Sequence, residues 1–187
     1  YYYSWGGATP SGGCINFSTA AGAKDAFTTG SSPQVPTSAA SMKLESFLIS
    51  STSGASKYSY YSDSSCATLM GYHQYNIKNI KVGSVVSNLT VSFGSGGASR
   101  PSSAYQVSYE YKDIISKGKT SAAVSFLNTF VGMTHSLDVE QTNPASGTIR
   151  NIWATAIISS SSWLYYGTES SSTYPTGWTQ YDDISFK

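Results

Sequence analysis

The 187 residues carry 11 Lys+Arg against 10 Asp+Glu, a net charge of +1, with 37 Ser, 18 Thr, 17 Gly and 15 Tyr. A chain this close to neutral has no basic field for binding nucleic acid by counterion release, and its 11% of charged residues falls well below the roughly 25% of an ordinary cytosolic domain. Aromatics at 14% argue against disorder, and no apolar run approaches the ~20 residues of a membrane-spanning helix.

The chain begins Tyr1-Tyr2-Tyr3 and not with Met, which reads as a removed leader or a trimmed end. Residues 1–7 (YYYSWGG) are aromatic for a free terminus. Two uses are open to them: packing on their own domain, or self-association by strand addition to a neighbouring copy. Residues 15–18 form a short strand candidate, and 20–27 a single helical turn. After a Ser/Pro loop at 31–36, residues 44–50 (LESFLIS), 57–61, 77–82 and 85–93 (VVSNLTVSF) are strand-like.

Gly94-Ser95-Gly96-Gly97-Ala98-Ser99-Arg100-Pro101 is the clearest loop. It is the one place where the chain would divide in two, although eight residues is also an ordinary long loop. Tyr105, Val107, Tyr109 and Tyr111 then alternate with Gln106, Ser108 and Glu110, the period of a half-buried strand. Residues 122–131 (AAVSFLNTFV) fit a short helix or a strand. Residues 148–158 (TIRNIWATAII) are β-branched and long, as in a central strand covered on both faces. Residues 163–166 and 179–186 complete the set. Strands at short intervals with turn signals between them predict an all-β fold, a single-domain antiparallel β-sandwich or jelly roll over residues 1–187 with long Ser/Gly-rich loops.

Cys14 and Cys66 are the two cysteines. An even count in a Ser/Thr/Tyr-rich chain suggests a disulfide and an extracellular or cell-surface setting; two separate buried thiols are the alternative. Asn16-Phe17-Ser18 and Asn88-Leu89-Thr90 are glycosylation sequons.

Catalytic signals are sparse. His73 and His135 are the only histidines, both read as hydrogen-bonded structural residues, and no Gly-x-Ser-x-Gly elbow occurs. Glycoside hydrolysis needs two facing carboxyls, for which Glu110 and Glu140 are the candidates. The composition is similar to that of small jelly-roll xylanases, which are also Tyr/Ser/Thr/Gly-rich. That family's strand motifs bearing its two glutamates are not matched, so its activity is not carried over. Residues 58–82, from Tyr58-Ser59-Tyr60-Tyr61 to Ile80-Lys81-Val82, look like one Greek-key unit of the βγ-crystallins. Val85-Val86-Ser87-Asn88-Leu89 stands where that family has its calcium motif.

The C-terminal stretch is richer. Trp163, Tyr165, Tyr166, Tyr174, Trp178 and Tyr181 lie close together. Aromatic faces stack on pyranose rings while a few polar groups bond the hydroxyls. Asp182 and Asp183 supply acceptors for hydroxyls, or for Ca²⁺ if carbonyls join them. The expected role is non-catalytic recognition of a glycan or cell-surface component. A self-assembling structural subunit is the alternative and a jelly-roll glycan-active enzyme the second alternative.

Overall fold

The computed structural model describes residues 2–3, 11–20, 22–29, 33–92, 100–158, 161–179 and 183–186. In chain order the strands are β1 (Tyr2–Tyr3), β2 (Ile15–Asn16), β3 (Ser41–Ser50), β4 (Ser53–Tyr61), β5 (Leu69–Ser87), β6 (Thr90–Ser92), β7 (Ser103–Gly118), β8 (Glu140–Pro144), β9 (Thr148–Ile158), β10 (Ser161–Tyr166), β11 (Gly177–Thr179) and β12 (Asp183–Phe186). Two helices interrupt them, α1 (Ala23–Thr28) and α2 (Ser121–Val131).

Ten strands form one antiparallel sheet in the order β1-β12-β10-β9-β7-β5-β4-β3-β2, with β8 paired to the far half of β7. β1 also bonds β3, through Tyr2 and Glu45, so the hydrogen-bonded path curls back on itself. The expected antiparallel β-fold is therefore present, but in place of two stacked sheets there is one curled sheet and a small parallel pair, β6 with β11. The cause lies in β5 and β7. At 19 and 16 residues they exceed the usual 3–10 or so, and three register shifts interrupt their pairing, at Asn76/Ile77, Lys78/Lys81 and Val82/Val85. Each such irregularity bends and twists its strand, which curves the sheet rather than ending it.

Residues 122–131, open between helix and strand in sequence, lie in α2. Thr120 caps the helix by accepting from the Ala123 amide at 3.2 Å, and Gly132 ends it at φ 74°. Ala123 and Leu127, one turn apart, are fully buried and face the sheet. The helix comes close because the paired residues Gly71 and Gly118 lie beneath it. A Cβ on Gly71 would stand 2.8 Å from the Tyr60 ring and 2.6 Å from the Lys117 carbonyl oxygen; one on Gly118 would stand 2.8 Å from Val124. Met42, Leu44, Tyr60, Met70, Ala123 and Leu127 form the main core with Ile15, Phe17, Ala23 and Val35. This defines a helix face of the sheet. A second core, Leu89, Ala104, Ile152, Ala154, Tyr165 and Trp178, covers the opposite face at the other end. β9 is buried on that opposite face at Ile152 and Ala154 and only partly covered on the helix face, where Asn151 is buried and Trp153 half-buried.

Cys14 and Cys66 are bonded, with Cα atoms 5.9 Å apart. Cys66 sits at φ 57° in a loop held by Asp63. That carboxylate accepts from the Ser65 amide and hydroxyl and from the Ala67 and Thr68 amides. The Ser65 hydroxyl and the Ala67 and Thr68 amides hold its carboxyl well below the usual range. The bridge spans 52 residues, so the double substitution Cys14→Ser/Cys66→Ser should cost about 4 kcal/mol by loop-closure entropy. The expected result is a clearly lower urea midpoint than that of the oxidised parent.

Candidate functional site

On the helix face, aromatic rings run without a break from α2 across four strands. Phe126 stacks on Phe130 at 5.2 Å, Phe130 meets His73 at 4.5 Å, and His73 stacks on Tyr58 at 4.7 Å. Tyr75 follows at 5.6 Å from His73, then Tyr111 at 5.9 Å, Tyr109 at 6.3 Å and Trp153 at 5.9 Å. All these separations suit aromatic pairing. The row crosses the sheet because these residues share one face in register: Tyr58 pairs His73, Tyr105 pairs Trp153, and Trp153 pairs Tyr166. Tyr58, Tyr75, Tyr111 and Trp153 are half-buried and Tyr105 is 52% exposed, so the row has an open side.

The polar end of the row is Glu169. Its carboxylate accepts from the hydroxyls of Tyr109 and Tyr111, each at 2.5 Å. Burial first, then the Glu169 charge, pushes all three nearby phenols up, Tyr75 to about 12. They stay protonated at neutral pH, so Tyr109 and Tyr111 remain donors. Asn151, fully buried, pairs with Val107 beside them.

His73 departs from expectation. It is fully buried between Tyr58 and Phe130, and neither ring nitrogen has a hydrogen-bond partner. Burial lowers its pKa to about 3. His135 is hydrogen-bonded as expected. Its Nδ1 donates to the Met133 carbonyl at 2.9 Å, leaving Nε2 to accept from the Ser116 hydroxyl at 2.8 Å. Ser116 and His135 are both buried, so this pair packs the base of β7 and presents no open nucleophile.

Glu110 and Glu140 do not form a catalytic pair. Glu110 pairs with Thr148, whereas Glu140 pairs with Lys117, seven positions further along β7, or roughly 20 Å at strand rise. Sugar hydrolysis needs at most about 9.5 Å. Each has its own partners: Asn79 and Lys78 for Glu110, and the Tyr72 hydroxyl for Glu140.

Strand alternation divides the C-terminal aromatics. Trp178 is fully buried, its indole N–H donating to the Pro101 carbonyl at 2.8 Å. Tyr165 is buried against it, under Arg100. These two are core residues, since their ring faces are taken up by packing. Trp163 is half-buried beside them. Tyr166, by its pairing with Trp153, lies on the helix face, and Tyr174 is half-buried in the loop before β11. Asp183 pairs with Tyr166 in register; Tyr181 and Asp182 lie outside the described residues. Among the described residues, no three His, Cys, Asp or Glu side chains gather as a metal site. Of the two uses open to residues 1–7, packing within the chain is seen for Tyr2 and Tyr3, which pair with Phe186 and Ser185 of β12, and Tyr2 also with Glu45. Asn16 is half-buried and accepts from the Ser18 amide and hydroxyl. Asn88 is exposed at a turn with φ 59°.

The sequence matches no family model and no curated protein.

His73 makes a pH prediction. The unfolded chain binds a proton near pH 6.5 that the folded chain refuses until about pH 3. Stability therefore falls as pH drops through that window, by at most about 1.4 kcal/mol per unit. His73→Phe keeps a ring between Tyr58 and Phe130 and breaks no hydrogen bond. Urea midpoints at about pH 7 and about pH 5 should converge in this variant and differ in the parent.

Proposed function

We propose that this protein binds carbohydrate without transforming it, in an extracellular or cell-surface setting, and that the aromatic row on the helix face is the binding surface. The observation that carries the reading is the run of rings from Tyr58 to Trp153, half-open at Tyr58, Tyr75, Tyr111 and Trp153 and buried at His73 and Tyr109, with Glu169 on the hydroxyls of Tyr109 and Tyr111. Ring faces suit the apolar faces of pyranoses, and a fixed carboxylate with phenolic hydroxyls suits their O–H groups. The Cys14–Cys66 bond is compatible with an oxidising compartment, and exposed Asn88 is the sequon better placed to carry a glycan. Of the C-terminal aromatics, Tyr166 is the one this surface includes.

The test separates surface from core. Trp153→Ala and Tyr75→Ala should each weaken retention on a glycan array at least about tenfold, with thermal melting little changed, since both rings are half open. Trp178→Ala should cost about 3–5 kcal/mol, seen as a large drop in melting temperature. Undiminished glycan retention in both surface variants would remove the site.

One observation favours a second reading, self-assembly. Phe47, Leu48 and Ile49 are consecutive and exposed, at a stretch of β3 that has no strand partner beyond β4 among the described residues. Apolar strand edges of this kind pair between copies. Light scattering across a wide concentration range should then show oligomers that Leu48→Lys abolishes.

A further inference from the structure

Building on the carbohydrate reading, we infer that the preferred ligand is an amino sugar, whose ammonium group sits against Glu169 beside the half-buried rings of Tyr75, Tyr111 and Trp153.

These rings do not lie in one plane. Tyr109 meets Tyr111 at 87°, Tyr111 meets Tyr75 at 50° and Tyr109 meets Trp153 at 41°. A flat run of coplanar rings would suit stacking alone. Rings tilted this way cannot all stack on one flat sugar, and the half-buried Tyr75, Tyr111 and Trp153 lie near an exposed carboxylate, an arrangement that favours a cation.

The charge there is uncompensated. Glu169 is exposed and carries two phenolic hydrogen bonds, which leave acceptor capacity on a carboxylate. Among the described residues, no Lys or Arg side chain pairs with it. Of the cations on the adjoining strands, Lys112 pairs with Asp113 and Lys78 with Glu110, while Arg150 bonds the neutral Ser171 carbonyl. A neutral sugar would use this site without exploiting its charge, and an acidic sugar would be repelled. A protonated amine supplies the missing cation and up to three N–H donors.

The experiment is titration calorimetry of the intact chain with three oligosaccharides of equal length, built on one backbone: β-1,4-linked glucosamine, N-acetylglucosamine and glucose. A fourth arm uses tetramethylammonium alone. The glucosamine oligomer should bind at least about tenfold tighter than either neutral oligomer. Its advantage should shrink as salt rises from about 0.01 M to about 1 M, and again when pH is raised until the amine is neutral. A net charge of +1 gives a polycation no general attraction to this protein. Glu169→Gln, checked for folding by its melting curve, should bind all three oligomers alike; the salt dependence needs no variant and tests the inference even if that one unfolds. Equal or tighter binding of the neutral oligomers would overturn the ammonium preference and leave the carbohydrate reading standing. Tetramethylammonium binding as tightly as the oligomer would remove the sugar from the proposal, and binding to none of the four would remove both readings.

Discussion

The organisation of the helix face depends on how near α2 comes to the sheet. That distance is set by the absence of two side chains. At Gly71 and Gly118 there is no room for a methyl group beneath the helix. With the helix seated, Phe126 and Phe130 close over Tyr60 and His73, and the imidazole is fully buried with no hydrogen-bond partner. The first rings of the row are fixed by this packing, and Tyr75, Tyr111 and Tyr109 follow along the same face of β5 and β7. The proposed recognition surface and the folding core are therefore continuous. The end under the helix is buried, and the end toward Trp153 and Tyr105 is open.

The two kinds of carboxylate in this chain have different fates. Asp63 spends its acceptors on backbone amides and fixes the loop bearing Cys66. Glu110 and Glu140 are tied to different parts of β5, Glu110 to Lys78 and Asn79 and Glu140 to Tyr72. Glu169 is the one of these joined to two aromatic hydroxyls. Which carboxylates lie near one another is set by register across strands, and register is invisible in the order of residues.

Much of the secondary structure was legible. Alternation marked the start of β7, β-branched density marked β9, and residues 163–166 fell within β10. Other features were not. Residues 85–93 read as one strand but break at Asn88, whose positive φ ends β5. The lengths of β5 and β7 were hidden because bulges interrupt the two-residue period, and with them went the single curled sheet. The candidate site was legible only in part. The C-terminal aromatics drew attention by their density, yet Tyr165 and Tyr166 face opposite ways, so density selected core and surface residues together. Tyr75, Tyr111 and Trp153 were scattered over three strands, and only the fold gathers them. The residue sequence did hold one usable signal: Tyr109 and Tyr111 share a face of the clearest strand.

The segment that carries Glu169 is strapped down at both sides. The Gly167 amide donates to the Ile152 carbonyl, Ser170 and Arg150 exchange backbone bonds, and the Arg150 guanidinium reaches the Ser171 carbonyl at 2.6 Å. The carboxylate is thus held in position before any ligand arrives. A molecule meeting it encounters a preorganised group, and little conformational entropy remains to be surrendered on association. Capture at such a site is limited by encounter rather than by rearrangement, so differences among ligands would be expressed in how long each one stays.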